Sequence, residues 1–179
     1  MAKNKNLFRF LLISIFLICN SFSSNPIRTK VKNIYDHELG VREKTGKNDG
    51  PMVETYLRYC ALGKGDPWCA SFICWTYGQA GIANPKSGYC PDLFALNHII
   101  YKRGNKILNK TPQQGDVWGL YFPDKGRVAH VGFVDQWQDK YVVTVEGNTN
   151  EAGSREGDGV YRKRRLIKSI YIVANYIDK

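Results

Sequence analysis

The stretch Gly65-Asp66-Pro67-Trp68-Cys69-Ala70-Ser71-Phe72-Ile73-Cys74-Trp75-Thr76-Tyr77-Gly78-Gln79-Ala80-Gly81 decides how this 179-residue chain is read. It has the grammar of a helix start. Asp66 suits the cap, Pro67 suits the first helical position because its missing N–H would find no partner there, and apolar residues then recur at steps of three and four. Gly78 and Gly81 are the expected stops. On that reading Cys69 sits in the first turn, where unpaired backbone N–H groups and the positive end of the helix dipole favour a thiolate. Burial is the competing use, since cysteine is among the most buried residue types and Phe72 and Ile73 follow at helical spacing. What turns the argument toward chemistry lies downstream, in His130 and in Glu146-Gly147-Asn148.

Working outward, residues 27–38 are loosely helical with Val31, Ile34 and Tyr35 on one side, and 52–60 form a second helix with Val53, Tyr56 and Leu57 inward. Gly46-Lys47-Asn48-Asp49-Gly50-Pro51 reads as the turn between them, and Gly63-Lys64-Gly65 breaks the second helix. Beyond Gly81, turns at Asn84-Pro85 and Cys90-Pro91 precede a further helix expected over 92–102. His98 falls within it, beside two isoleucines and Tyr101, and reads as a packed or surface residue, as does His37. From Gly115 the texture changes to short apolar or alternating runs, expected as strands at 117–122, 128–137, 141–146, 160–166 and 171–176. Asp139-Lys140 suits a hairpin turn between the second and third. Helices followed by a mostly antiparallel sheet make the expected class α+β. No internal repeat or low-complexity tract divides residues 24–179, which read as one domain.

A chain with 43% hydrophobic and 13% aromatic residues can bury a proper core, which excludes a disordered tail. Residues 1–23 have the parts of a signal peptide: a basic start from Met1 to Arg9, an apolar run over 10–19 too short to span a bilayer, and small residues Ser21 and Ser23 around a cleavage point. Secretion or a periplasmic location is therefore expected. Leu17-Ile18-Cys19 hints at a lipid anchor on Cys19, but Ile18 stands where a small residue is wanted. Losing Lys3, Lys5 and Arg9 takes the formal charge from +10 to about +7, which points to an anionic partner. With an export signal, that partner is a wall polymer or membrane surface and not nucleic acid. Activity on the wall is then expected to fall with added salt. Cys60, Cys69, Cys74 and Cys90 would sit in an oxidising compartment, and their spacing matches no zinc pattern. With Cys69 free, at most one disulfide forms, and Cys60 with Cys90 is the expected pair because Cys74 lies on the same helix as Cys69 and should be buried.

His130 stands in Arg127-Val128-Ala129-His130-Val131-Gly132-Phe133-Val134, an otherwise apolar strand, and must face the core or a cleft. Facing Cys69, it could take the thiol proton and return it to a leaving amine. Glu146 and Asn148 are two apart, so on a strand they share a face one hairpin from His130, where either could hold the other ring nitrogen. Alone, each has an ordinary use as a structural histidine, a solvated strand end or a turn residue. Together they follow the order nucleophile, base, acceptor found in papain-like hydrolases.

The motifs Pro67-Trp68-Cys69-Ala70-Ser71-Phe72, Gly115-Asp116-Val117, Ala129-His130-Val131-Gly132 and Val145-Glu146-Gly147-Asn148-Thr149-Asn150, with Gly153-Ser154-Arg155-Glu156-Gly157-Asp158-Gly159-Val160 after them, resemble the CHAP domain. This is the cysteine- and histidine-dependent amidohydrolase/peptidase family of the papain-like superfamily. The resemblance runs from about Leu39 to the end. It implies a papain-like fold, helices first, with the nucleophile at a helix start packed on the sheet. It also implies cleavage of an amide bond in peptidoglycan, at the muramoyl-alanine link or within the peptide, without an organic cofactor. Cys69 would be the nucleophile, His130 the base, Glu146 the group orienting it and Asn148 a second polar partner. Some members bind calcium through acidic residues before the nucleophile. Here Lys47-Asn48-Asp49 offers one carboxylate beside a lysine, so no metal is expected.

The Cys69 N–H is a natural oxyanion donor, although a cap bond to Asp66 would compete for it, and a second donor is not assigned. Trp68 and Asn150 are candidate substrate contacts, Trp68 having packing under the helix as its equal alternative, and Arg155 is a further polar candidate. The competing functions are an inactive papain-like wall-binding module, an antibacterial toxin with the same chemistry, and an acyltransferase. A monomer acting on peptidoglycan is the expectation.

Overall fold

The computed structural model describes residues 25–104, 110–152 and 157–178. The leader expected over 1–23, with Cys19, lies outside the described residues, as does Arg155. Helix α1, Pro26–His37, starts as its sequence dictates: Asn25 Oδ1 accepts the Ile27 N–H at 2.9 Å, and Pro26 takes the first position. Helix α2, Pro51–Tyr59, follows Gly50, whose φ of +110° only glycine adopts readily. Helix α3, Cys69–Ala80, ends at Gly81 in the left-handed conformation. A short 3-10 turn, Cys90–Phe94, comes next.

Among the described residues, six strands complete the fold: β1 Ile99–Lys102, β2 Val117–Phe122, β3 Arg127–Trp137, β4 Tyr141–Thr149, β5 Gly159–Leu166 and β6 Ile172–Ala174. They form one sheet in the order β1-β6-β2-β3-β4-β5, with every pairing antiparallel. The class is α+β.

One element departs from its expectation. The helix expected over 92–102 is instead the 3-10 turn followed by β1, whose Ile99 and Lys102 pair with Ala174 and Ile172 of β6. Pro91 suits the start of the turn, and Ile99-Ile100-Tyr101 gain more from a strand neighbour than from an isolated helical turn. His98 is used in packing: its Nδ1 lies 2.9 Å from the Asn175 carbonyl oxygen, and its ring stacks on Tyr176.

Helix α3 lies across the sheet, and most of its side chains are buried. Phe72 and Tyr77 both meet Phe133 of β3 edge-on, at 5.9 and 5.4 Å between ring centroids, and Tyr35 of α1 stacks on the same ring at 5.2 Å. Gly147 of β4 lets the helix start come this close. A Cβ there would stand 2.7 Å from the Trp68 ring and 3.0 Å from Phe72.

Helix α1 is tied down by a buried charge cluster. The Arg28 guanidinium donates to the Gln114 carbonyl, to Asp116 Oδ1 at 3.0 Å and to Asp178 Oδ2 at 2.5 Å. Burial pushes the Asp116 carboxyl up to about 6 even though Arg28 opposes the rise. The Gly115-Asp116 motif thus joins α1 to the sheet. Arg28→Met is expected to destabilise the fold by about 3–5 kcal/mol at neutral pH, because it strands a buried carboxylate. Urea unfolding checks this, and the deficit should narrow at pH 5, where Asp116 accepts a proton.

Candidate active site

Helix α3 begins at Cys69 itself, not at Pro67, with Trp68 as the cap residue. Asp66 does not cap it. Its carboxylate turns back to accept the Gly63 N–H at 3.0 Å, closing the Gly63-Lys64-Gly65 turn and leaving the Cys69 N–H alone. No side chain caps the helix; Asn148 Oδ1, 80 residues away, instead holds the residue before it, accepting the Trp68 N–H at 3.1 Å. Cys69 is therefore the first helical residue, where dipole and N–H groups act most strongly on a thiolate.

His130 reaches the site through a bulge. Leu120 pairs with His130 while the next residue, Tyr121, pairs with Val128, so Ala129 has no residue opposite it. Such an extra residue re-aims its neighbours and bends the strand. His130 is fully buried, and its Nε2 lies 2.9 Å from Glu146 Oε2. That contact assigns the Nε2 hydrogen and leaves Nδ1 for the cysteine. His130 Nδ1 makes no hydrogen bond of good geometry, so its interaction with Cys69 is looser than that with Glu146, as is common before substrate arrives.

Glu146 is fully buried on β4, and both its oxygens accept twice. Oε2 takes His130 and Arg165 Nη2, the latter at 2.5 Å, while Oε1 takes Arg165 Nε at 2.6 Å and Thr144 Oγ1 at 2.5 Å. Arg165, on β5, also lies over the Trp118 ring, which meets the His130 imidazole edge-on at 5.8 Å. Gly132 makes room for this group. A Cβ there would fall 2.8 Å from Glu146 Cγ and from Trp118, and 2.9 Å from the Val145 carbonyl oxygen.

The electrostatics follow from these contacts. The Cys69 thiol is driven well below its ordinary value, first by a hydrogen bond from Cys90 and then, against burial, by the His130 imidazolium and the Val131 N–H. Burial disfavours the charged form of His130, yet its bonds to Cys69 and Glu146 raise it to about 9. Burial alone would raise Glu146, but Arg165 and His130 push it down to about 2. These shifts favour a thiolate beside an imidazolium, with an ionised carboxylate behind it.

Residues 61–148 match the family model of the CHAP domain. The chain carries a CHAP domain. No curated protein and no solved structure matched the chain. The family is one of cysteine- and histidine-dependent amidohydrolases and peptidases, and the match spans Cys69, His130 and Glu146. Arg165 lies beyond its end.

Around this CHAP centre, three sequence expectations need correction. Asn148 does not share a face with Glu146, because the ladder slips between Glu146 and Thr149 and Asn148 adopts φ +55°. Its amide nitrogen donates to Asn48 Oδ1 at 3.0 Å and to the Gly157 carbonyl at 3.1 Å, so it clamps the nucleophile's loop and has no bond to His130. Trp68 is fully buried, donates its indole N–H to Glu43 Oε1 at 2.8 Å and packs on Tyr56, which removes it from the substrate contacts. Cys60 and Cys90 do not pair: Cys90 Sγ lies 3.6 Å from Cys69 Sγ, whereas Cys60 lies against Cys74, and all four are free thiols.

Two grooves share Pro67, two residues before the CHAP nucleophile, as a wall. The larger, about 940 Å³, is lined by Glu43, Asn48, Asn150, Glu151, Asp158 and Tyr161. The smaller, about 460 Å³, is lined by Asp66, Lys86, Tyr89 and Arg127 among others. Asn150 thus lies in the larger groove, which is acidic, whereas the smaller mixes one carboxylate with a lysine and an arginine.

Sequence reasoning passed over Arg165 and Trp118, and it set Cys90 beside Cys60 where the structure sets it beside Cys69. Arg165 is one of four consecutive basic residues, Arg162-Lys163-Arg164-Arg165, and nothing local marks which of them turns inward. The glycine two residues after His130 was a usable signal, since Gly132 falls where a carboxylate from the next strand has to pass.

Proposed function

We propose that the protein is an exported peptidoglycan hydrolase that cuts an amide bond, in the peptide or at the muramoyl-alanine link, through an acyl-enzyme on Cys69. The observation that carries this is the series Cys69, His130, Glu146 and Arg165, the first three buried and the arginine half-buried, charged in alternation at a helix start. The Cys69 thiolate attacks the carbonyl carbon, and the Cys69 N–H faces the developing oxyanion. His130 gives its Nδ1 proton to the leaving amine, which departs and leaves a thioester. The neutral ring then takes a proton from water as that water attacks the thioester, and the Cys69 thiolate leaves. Glu146 stays ionised throughout, holding Nε2–H and stabilising the imidazolium. An acidic groove on one side of Pro67 and a groove with Lys86 and Arg127 on the other suit a peptide chain bearing both amines and carboxylates.

Export rests on the signal-like residues 1–23, and retention on the wall on the positive charge of the chain. Release of fragments from whole wall should therefore fall several-fold as salt is raised from about 50 to 300 mM, while cleavage of a small soluble fragment should hardly change. Equal salt response for both substrates argues against charge-based retention.

The deciding experiment incubates the mature protein and Cys69→Ala with purified peptidoglycan and identifies released fragments by mass. Release by the unmutated protein only is the expected result, and the new ends show whether it is an amidase or an endopeptidase. If neither protein releases fragments while both pellet with the wall, the protein is a wall-binding module.

A further inference from the structure

Cys90 has no part in the acyl-transfer scheme, yet its sulfur is 3.6 Å from that of the nucleophile. Both residues are 4% exposed. Cys69 is held as the first residue of a 12-residue helix. Cys90 opens the short 3-10 turn, and residues 82–89 before it contain no helix or strand. The bond length of a disulfide is about 2.05 Å, so the sulfurs must approach by roughly 1.5 Å, and the Cys90 side is the one free to supply it.

We propose that Cys69 and Cys90 are an oxidative modification site: peroxide converts them to a reversible disulfide, with Cys90 as the resolving thiol that silences the nucleophile and spares it from irreversible oxidation. This rests on Cys69 being the ionised nucleophile. The Cys69 thiolate attacks one peroxide oxygen, the O–O bond breaks, and the departing hydroxide takes the His130 proton to leave as water, giving a sulfenic acid. The Cys90 sulfur then attacks the sulfenyl sulfur, the S–O bond breaks, and the departing hydroxide carries off the Cys90 proton as water. One peroxide is reduced to two waters for each disulfide formed, and a dithiol reductant reverses it.

The ionisation of the pair fits this order. The hydrogen bond to Cys69 and burial keep Cys90 protonated, so Cys69 reacts first and Cys90 second. Cys60 and Cys74 form the internal comparison: they are also neighbours, but Cys74 lies within α3, and its thiol is raised by Cys60 and by burial.

The test treats the reduced protein with hydrogen peroxide, then labels with iodoacetamide and maps peptides after cleavage at Phe72, which separates Cys69 from Cys74. The unmutated protein should lose about 2 Da, yield a Cys69–Cys90 cross-linked peptide, and lose Cys69 labelling until dithiothreitol restores it. Cys90→Ser should yield no such peptide. Its Cys69 should gain about 32 or 48 Da as sulfinic or sulfonic acid, and reduction should not restore labelling.

The inference is overturned if Cys69 over-oxidises equally fast in both proteins, if it resists peroxide, or if the recovered cross-link joins Cys60 to Cys74. Should Cys90→Ser not fold, Cys90→Ala and the map of the unmutated protein decide the matter. No step uses peptidoglycan. A protein that cross-links but cuts no wall therefore refutes the hydrolase reading, and one that cuts wall without cross-linking refutes the oxidation site.

Discussion

His130→Ala is expected to lower kcat/KM on peptidoglycan by about 10²–10⁴-fold, the usual worth of a positioned acid–base group. It should also change how Cys69 meets an alkylating agent, which can be read without substrate. In the intact site the thiolate–imidazolium pair persists from the lowered Cys69 value up to about 9, where His130 gives up its proton. Iodoacetamide should therefore label Cys69 quickly at pH 6 and at a nearly constant rate up to pH 8. Without the imidazolium, Cys69 keeps the Cys90 hydrogen bond but loses the positive charge beside it, so labelling at pH 6 should slow and its rate should rise with pH over the range where the intact site is level. An unchanged labelling profile in the variant would show that His130 does not act on Cys69.

The same pairing governs how stability depends on pH. His130 has a folded value above its unfolded one, so its contribution is fully present below about 6.5 and is lost as pH rises through about 9. Cys69 offsets this loss, because its lowered thiol gains stability as pH rises toward the ordinary thiol range of about 8.5; folded and unfolded states then bind the same number of protons, and the thermal midpoint should stay nearly level between about 6.5 and 8.5.

Glu146→Gln carries the second large effect, on activity and fold together. The carboxylate accepts four hydrogen bonds, and the amide that replaces it has one accepting oxygen and an NH2 that can only donate. If the oxygen stays with Arg165, the NH2 confronts His130 Nε2–H. If it turns to His130, Arg165 is left facing a donor. Either way the imidazole loses its fixed tautomer and the charge that raises it, and activity should fall by up to about 10⁴-fold, as expected when a buried acceptor becomes an amide. Arg165 would keep its charge with its side chain only 15% exposed, so stability should drop by about 3–5 kcal/mol. Denaturant unfolding separates the two effects. A variant as stable as the parent and fully active would show Glu146 to be a bystander.

Much of the fold was legible because its signals are local. The spacing of Val31, Ile34 and Tyr35 in α1, the stop at Gly81 and the apolar run of β2 depend on residues within a few positions of one another, and the structure places those elements where the pattern puts them. The segment 92–102 was misread because Ile99-Ile100-Tyr101 suits a helix face and a strand equally well, and only β6, some 70 residues later, offers the ladder that decides it. The expected cap at Asp66 failed for a similar reason. A carboxylate there has two local uses, and the glycine turn took it while a distant asparagine anchored Trp68, the residue before the helix.

By itself the sequence determined the α+β class, the helix start beneath Cys69, and the chain order of cysteine, histidine and carboxylate, because periodicity, capping and residue type are properties of short stretches. Only the tertiary structure decided what surrounds those three residues. The bulges that turn His130 inward and Asn148 away are pairing irregularities between strands, with no mark in either strand alone. Arg165 on Glu146, Gly132 beneath it and Cys90 against Cys69 join residues 14 to 21 positions apart in the chain. Their meeting is set by the register of packed elements, and register is a property of the whole sheet, not of any stretch within it.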